Sequence, residues 1–127
     1  MPNVIVVGSQ WGDEGKGKIV DVLSKKADVI ARYQGGHNAG HTVVIKDDKF
    51  ILHILPSGIL YGNKICIVGK GVVVEPAALI AEITGLKDRG VNVGKNLLVS
   101  NNAHIIMPYH STLDTEKEKA LGKKSIG

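Results

Sequence analysis

The sequence predicts an α/β fold, in which a mainly parallel β-sheet is flanked by helices and one β-hairpin is added. Three observations favour this class. The first is an apolar, β-branched run near the N-terminus that ends at a glycine. The second is the glycine-rich loop and helical pattern that follow this run. The third is that the later strand candidates are short aliphatic runs. Strands buried on both faces of a parallel sheet have this fully apolar pattern. Because the 127 residues include only one Phe, one Trp and three Tyr, the core must consist of Val, Ile and Leu.

The N-terminal part of the chain predicts a βαβ unit with a right-handed crossover. The elements expected are a strand at 3–8, a glycine-rich loop at 9–17, a helix at 18–26 and a strand at 29–33. A second glycine-rich loop then covers residues 34–41. A β-hairpin is expected after it, with strands at 42–45 and 49–54 on either side of Asp47 and Asp48.

The C-terminal part predicts a further strand at 64–68 that runs into Gly69–Gly71. We expect these glycines to form a turn, with a third phosphate contact as the alternative. Pro76 is suited to the first position of a helix that ends near Lys87, with Gly90 beyond its end. The remaining elements expected are strands at 97–100 and 104–107 and a charged helix at 114–121.

The composition excludes several classes of protein. Hydrophobic residues make up 43% of the chain and charged residues 22%, which is typical of a globular protein and not of a disordered one. A single cysteine, Cys66, excludes an internal disulfide, fits a reducing compartment and is expected to be a buried, inert thiol. No apolar run approaches the ~20 residues of a membrane span, and no signal peptide is evident, so we expect a cytoplasmic protein without membrane contact.

The net charge of +4 is compatible with nucleic acid or with small phosphorylated ligands as partners. The basic residues are spread along the chain, and aromatic residues that would stack on bases are few. The sequence therefore favours phosphorylated ligands over nucleic acid.

The first glycine-rich loop carries the strongest functional signal. Residues 12–18 match the first seven positions of a phosphate-binding loop, or P-loop, through Gly12, Gly17 and Lys18. The segment lies between a predicted strand and a predicted helix, as a P-loop does. Backbone N–H groups, a helix N-terminus and lysine charge together favour an anion there. Ile19 stands where Ser or Thr would bind Mg²⁺, so Asp13 inside the loop becomes the candidate metal ligand. A simple capping role is the alternative for Asp13.

The second loop combines His37, Asn38, Gly40, His41 and Thr42. Histidine is a natural proton donor or acceptor near neutral pH, and two histidines in one glycine-rich loop favour a functional role. A zinc site is less favoured because Cys66 lies far away in sequence. If both loops follow strands of a parallel sheet, they lie at the same edge, where ligands bind. Asp13 and His41 could then share one site.

The two loops resemble the signature segments of the adenylosuccinate synthetase family. Gln10–Lys18 (QWGDEGKGK) and Tyr33–Thr42 (YQGGHNAGHT) carry this resemblance, and Pro56–Leu60 and the helix at Pro76 support it. The resemblance covers essentially all of residues 1–127, which correspond to the N-terminal part of a single, larger domain in the family. We therefore expect an incomplete piece of that domain.

The resemblance implies a GTP-dependent ligase of purine biosynthesis. Such an enzyme joins IMP and L-aspartate to give adenylosuccinate, GDP and phosphate through a 6-phosphoryl-IMP intermediate, and acts as a homodimer. By resemblance, Asp13 is the general base and His41 the general acid, and Mg²⁺ is held by the Asp13 carboxylate and the Gly40 carbonyl. The residues implied for binding GTP and IMP are Gly12, Asp13, Glu14, Gly15, Lys16, Gly17, Lys18, Asn38, Ala39, Gly40, His41 and Thr42.

Two other functions stay open at this point. A simple P-loop GTPase or ATPase would hydrolyse nucleotide without IMP or aspartate, and a non-catalytic module would only bind phosphate. The pairing of Asp13 with His41 argues against both, because a phosphate sensor needs neither a base nor an acid. We expect the 127-residue chain alone to be inactive, since later segments of the family supply the rest of its ligand pockets.

Overall fold

The computed structural model describes residues 3–9, 15–38 and 40–121. The elements in chain order are α1 (Lys16–Ser24), β1 (Val29–Gly35), β2 (His41–Ile45), β3 (Asp48–Leu52), a 3₁₀ helix (Ser57–Leu60), β4 (Ile65–Val74), α2 (Pro76–Asp88), β5 (Leu97–Val99), β6 (His104–Ile105) and α3 (Pro108–Leu121). None of the helices in these residues combines the length and the hydropathy needed to span a membrane.

A parallel sheet is organised around the long strand β4. β1 pairs with β4 along one edge, β5 pairs with its first half, and β6 pairs with its last two residues, in each case parallel. β2 and β3 form a separate antiparallel hairpin, whose turn includes Lys46 at a φ of 55°. The predicted α/β class, with a parallel sheet, flanking helices and a hairpin, is confirmed.

The core lies on one side of the parallel sheet and is mainly aliphatic. Ile30, Cys66 and Val68 project from the sheet and are buried under the hairpin, the segment that follows it, and α2. Cys66 is fully buried, and burial raises the pKa of its thiol to about 11. Burial and the raised pKa both favour the protonated, unreactive thiol expected at this position.

Helix α2 has the predicted limits at both ends. Pro76 is its first residue, where the missing N–H costs nothing. The chain leaves the helix through Gly90, whose φ of 80° is the left-handed conformation that glycine adopts without strain. Helix α3 begins at Pro108, six residues before the predicted start at Asp114, and the Met107 N–H donates to His110 Nδ1 at its first turn.

The prediction of a strand at residues 3–8 is wrong for this structure. The segment forms no strand, and Val4, Ile5 and Val7 are 66%, 80% and 66% exposed. A β-branched run has only a preference for extended backbone, and a strand forms when that backbone finds a partner. Without this strand the predicted βαβ unit is incomplete, and β1 is joined to its parallel neighbour β4 through the hairpin.

The prediction of a turn at Gly69–Gly71 is also wrong, because all three residues lie inside β4. The register of β1 on β4 shifts between Arg32 and Gln34, opposite these glycines. A Cβ atom on Gly71 would overlap the carbonyl oxygen of Tyr33, so a side chain there would force the backbone to shift. Here the glycines allow two backbones to approach closely and do not mark a chain reversal.

Candidate functional site

The candidate site begins at the N-terminus of α1. Gly15 precedes the helix with φ 76° and ψ 17°, a left-handed conformation suited to glycine, and the Lys18 N–H donates to its carbonyl at 3.2 Å. The first N–H groups of a helix have no acceptor within it and carry positive potential toward the solvent. Lys16 and Lys18 are exposed on the same turn. The predicted residues Gly12, Asp13 and Glu14 lie outside the described residues.

Gly17 brings the two glycine-rich loops together. A Cβ atom on Gly17 would lie 3.0 Å from His41 Cβ and 3.5 Å from its Cδ2, so the first turn of α1 packs directly on the His41 side chain. His41 is the first residue of β2 and is half-buried. The predicted proximity of the first loop to the second therefore holds for Gly17 and His41, although the position of Asp13 is not described.

The surroundings of His41 favour its neutral form. Burial lowers the pKa of its imidazole, and the positive charge of Arg32 and the neighbouring His53 lower it further, while Glu82 and Asp21 act in the opposite direction. A neutral imidazole presents one N–H donor and one acceptor nitrogen. The lowered pKa makes the ring a weaker proton acceptor, while its neutral form can still donate one hydrogen bond.

His53 packs against the second loop from the opposite side. A Cβ atom on Gly40 would lie 2.7 Å from His53 Cε1, so only glycine fits beside this ring. The Nδ1 atom of His53 donates to the carbonyl oxygen of His37 at 3.2 Å. The loop is therefore held between α1 on one side and His53 on the other.

Arg32 and Glu82 fix the segment that carries His53. Arg32 donates to the carbonyl oxygen of Gly36, at 2.7 Å, and to that of His53. The Glu82 carboxylate, on α2, accepts from the backbone N–H groups of His53, Ile54 and Leu55 at 2.8, 2.9 and 3.3 Å. These two charged side chains act as a brace, which ties the second loop to the core of the fold.

Sequence reasoning did not identify this brace. A charged residue inside the apolar run of β1 was the available signal for Arg32. Glu82 lies within a helix pattern and resembles an ordinary solvated carboxylate. Its three acceptor contacts are to residues 27 to 29 positions earlier in the chain, a distance that no local pattern reports.

The remaining residues of the second loop are more open. Asn38 and Thr42 are exposed, and Ala39 lies outside the described residues. His37 Nε2 lies 3.1 Å from a carboxylate oxygen of Glu75, while its Nδ1 is buried and has no hydrogen-bond partner in the described structure. His37 therefore lies at the rim of the site, where the Glu75 carboxylate orients its ring.

A cavity of about 570 Å³ adjoins the second loop between the hairpin and α2, and His37, His53 and Glu82 line part of it. The described members of the predicted site, Gly15–Lys18, Asn38 and Gly40–Thr42, are not among its lining residues. No cluster of three or more His, Cys, Asp or Glu side chains suited to a metal ion occurs in residues 3–9, 15–38 and 40–121. The described geometry is that of a helix N-terminus, preceded by Gly15, packed against His41.

Comparison with known proteins decides the family. The model of the adenylosuccinate synthetase family matches residues 5–127. The chain belongs to the adenylosuccinate synthetase family. It is 58% identical over 127 residues to the adenylosuccinate synthetase of Geobacillus sp. (strain WCH70), covering 100% of this chain and 29% of that protein. The enzyme from Desulfotalea psychrophila (strain LSv54 / DSM 12343) is 59% identical over 122 residues, covering 95% of this chain and 28% of its own length.

Solved structures of synthetases share the fold. The fully ligated adenylosuccinate synthetase from Plasmodium falciparum superposes with a TM-score of 0.77 at 44% identity, covering 89% of this chain and 26% of that chain. The succinoaminodeoxyadenylate synthetase of cyanophage S-2L, bound to dGMP and to dATP as an energy donor, gives 0.64 at 25% identity, covering 89% and 31%. The chain thus spans about three-tenths of the length of the curated family members that it matches.

Proposed function

We propose that this chain supplies the phosphate-binding and proton-transfer part of an adenylosuccinate synthetase. The reaction is the GTP-dependent joining of IMP and L-aspartate to give adenylosuccinate, GDP and phosphate. The contact between Gly17 and His41 carries the proposal, because a helix N-terminus is suited to bind an anion and this one packs against a histidine. A simple nucleotide-binding loop has no need of that histidine.

The phosphates of GTP would lie at the N-terminus of α1, on the loop from Gly12 to Lys18. Backbone N–H groups of this loop donate to phosphate oxygens, and Lys16 adds a full positive charge. Residues 38–41 and 13–16 would contact IMP, and Gly40–Thr42 would also contact GTP. This arrangement places both substrates between the two loops that Gly17 brings into contact.

The proposed chemistry needs one base and one acid. Asp13 would remove the N1 proton of IMP, so that the 6-oxygen attacks the γ-phosphate of GTP and GDP leaves. His41 would donate a hydrogen bond to the transferring phosphoryl group. The amine of aspartate then displaces phosphate from carbon 6. Such phosphoryl transfer depends mainly on positioning and charge stabilisation, and the brace of Arg32 and Glu82 on the second loop favours positioning.

The residues present fit Mg²⁺, with the Gly40 carbonyl and the Asp13 carboxylate as its protein ligands. Carbonyl and carboxylate oxygens are the donors that this hard ion prefers, whereas Ile19 offers none. The close approach of His53 to Gly40 leaves no room for a side chain at residue 40. When bound, Mg²⁺ would neutralise phosphate charge.

We further propose that turnover, homodimer formation and cytoplasmic function belong to the longer chain found in the relatives. Because this chain spans 29% of the Geobacillus enzyme, we expect it to bind GTP without completing the reaction. Positioning lost with the absent pockets corresponds to about 7–11 kcal/mol of barrier reduction.

The test is to measure GTP binding and phosphate release for the 127-residue chain, with and without IMP and aspartate. His41→Asn and Asp13→Ala are the test variants, and His104→Asn is a matched control on the distant strand β6. We expect both test variants to bind GTP more weakly than the wild-type chain. The control variant should bind GTP as tightly as wild type. Release of phosphate that ignores both IMP and aspartate would instead identify a simple nucleotidase.

A further inference from the structure

Arg89 joins the C-terminal end of α2 to the first residues of β3. Its Nη1 atom donates to the carbonyl oxygen of Lys49 at 2.8 Å, and its Cζ atom lies 3.8 Å from the centroid of the Phe50 ring. Its Nη2 atom is 3.9 Å from a carboxylate oxygen of Asp48, whose side chain is 78% exposed. Arg89 therefore holds β3 by three different interactions, although it lies outside both motif loops.

The ring contact and the hydrogen bond provide most of this attachment. A cation over an aromatic face is attracted by the ring, and a planar guanidinium can stack and donate a hydrogen bond at the same time. An exposed ion pair contributes little, because water screens its charges. We therefore expect Phe50 and the Lys49 carbonyl to be the important partners, and Asp48 to add little.

Helix α2 thus holds the hairpin at two points. Glu82 accepts from the backbone N–H groups of residues 53–55, just after β3, and Arg89 binds the beginning of the same strand. The helix rises about 10.5 Å from Glu82 to Arg89, and the extended chain from Lys49 to His53 covers about 13 Å. The two attachments therefore have similar spacings on the helix and on the strand.

The space between the two attachments is not filled by side chains. The cavity of about 570 Å³ lies there, between the hairpin and α2. The helix residues that line its middle are Ala78, Ala81 and Gly85, whose side chains are too short to reach across it. Along this edge, the orientation of the hairpin depends on Glu82 and Arg89 more than on packing.

The hairpin transmits its orientation to His41. β2 and β3 are paired along their whole lengths, and Val43 of β2 lies opposite Phe50 of β3, with both side chains buried in the core. A displacement at Phe50 is therefore passed to β2, whose first residue is His41. His41 packs so closely on Gly17 that a Cβ atom there would lie 3.0 Å from its own Cβ. A small rotation of β2 would change this contact.

We propose that Arg89 is a positioning residue for His41. Together with Glu82 it fixes the hairpin on α2, and it thereby sets the contact between His41 and the first turn of α1. The importance of Arg89 for the reaction rests on the proposed function, in which His41 acts on the transferring phosphoryl group. Its effect on the contact between His41 and Gly17 does not depend on that function.

The test measures this contact by NMR in the 127-residue chain. The nuclear Overhauser effect between the Hα protons of Gly17 and the ring protons of His41 reports their separation. Arg89→Gln removes the guanidinium, and Lys87→Gln, the matched control, removes the same charge from the last turn of α2. Asp48→Asn removes only the exposed ion pair.

We expect the Gly17–His41 signal to fall about threefold or more in Arg89→Gln, since a displacement of about 0.5 Å already misplaces a positioned group. The signal should be unchanged in Lys87→Gln and in Asp48→Asn. The affinity for a fluorescent GTP analogue should fall in Arg89→Gln only. A residue that merely stabilises the fold would lower the free energy of unfolding and leave the signal of the folded chain unchanged.

An unchanged signal in folded Arg89→Gln would overturn the proposal, and so would an equal loss in Lys87→Gln. If Arg89→Gln does not fold, Arg89→Lys takes its place with the same expectations, because lysine keeps the charge and lacks the planar fork. A weaker signal with unchanged affinity for the GTP analogue would support Arg89 as a positioning residue and count against the role proposed for His41. The two proposals can therefore fail separately.

Discussion

Gly17 has only hydrogen where any other residue would place a carbon against His41. In α1 an alanine would ordinarily stabilise the helix by about 1 kcal/mol relative to glycine. The 3.0 Å separation between the added Cβ and His41 Cβ opposes that gain. The position is therefore governed by the contact with His41 and not by helix propensity.

Replacing Gly17 with valine should displace His41 and weaken GTP binding. The added methyl groups overfill a contact that is already tight, at a cost of about 1–3 kcal/mol in the free energy of unfolding. Urea denaturation and titration with a fluorescent GTP analogue measure the two effects. Gly62→Ala is the control, because a Cβ atom at residue 62 meets nothing within 4 Å.

Glu82 is the acceptor for three consecutive backbone N–H groups, and its carboxylate should be needed for that role. Glu82→Gln replaces a charged acceptor with a neutral amide, and we expect a loss of about 1–3 kcal/mol in unfolding free energy. Amide hydrogen exchange at residues 53–55 should accelerate. Glu116→Gln on α3, whose side chain is 65% exposed, should change stability by less than about 0.5 kcal/mol. Unchanged exchange at residues 53–55 would show that Glu82 is not the brace.

Tyr61 is the titratable side chain that joins the 3₁₀ helix region to α1. Its hydroxyl donates to Asp21 at 2.9 Å, and desolvation together with this hydrogen bond and the Asp21 charge raises the pKa of Tyr61 to about 12. The phenol thus keeps its proton longer in the folded chain than in the unfolded chain, where the pKa is near 10. Its contribution to stability is complete below pH 10 and is lost as the pH rises from 10 toward 12.

The measurement is an absorbance titration of tyrosine at alkaline pH, together with unfolding at each pH. We expect Tyr61→Phe to remove the corresponding decline in stability between pH 10 and 12. A decline in stability over this pH range that Tyr61→Phe leaves unchanged would contradict the assignment.

At the scale of elements, β4 shows how a strand can contain the residues that usually interrupt one. Gly69 and Gly71 suggest a turn when only their neighbours in sequence are considered. Their role becomes visible only when β1 is laid beside β4, because the carbonyl of Tyr33 occupies the space that a side chain would need. The opposing strand, and not local propensity, determines the conformation here.

Gly71→Ala should therefore damage the sheet. A Cβ atom that overlaps the carbonyl oxygen of Tyr33 forces β1 and β4 apart, and we expect a loss of about 2 kcal/mol or more in unfolding free energy. Chemical denaturation compares this variant with Gly94→Ala, where a Cβ atom meets nothing within 4 Å. A stability equal to that of the control would show that the strands can separate without cost.

The elements predicted best from the sequence are those whose own residues mark where they begin and end. α2 has its proline start and glycine exit, and the hairpin has two short apolar strands around Asp47 and Asp48. The strand at 3–8 was predicted on composition alone and is absent, because pairing with another strand is not encoded within the segment. The contact between the two motif loops was predicted, whereas the brace of Arg32 and Glu82 was not, since it joins residues far apart in sequence.

At the scale of the whole molecule, the sheet divides the chain into a packed side and an uncovered side. The packed side contains the core, the braced loop and the contact at His41. On the uncovered side, Val29, Ile65 and Leu98 are exposed. Sequence composition predicts the aliphatic character of both sides, but it cannot tell which one is covered, since apolar side chains alternate along the same strands.

The contact between Gly17 and His41 also constrains how the two motifs can be inherited or engineered. A bulkier residue at position 17 is acceptable only if position 41 becomes smaller or moves, so changes at the two sites must be compatible. Grafting the first loop onto another scaffold would leave its helix start without the surface it is shaped to meet. The two segments would therefore have to be grafted together, although a helix and a strand separate them in the sequence.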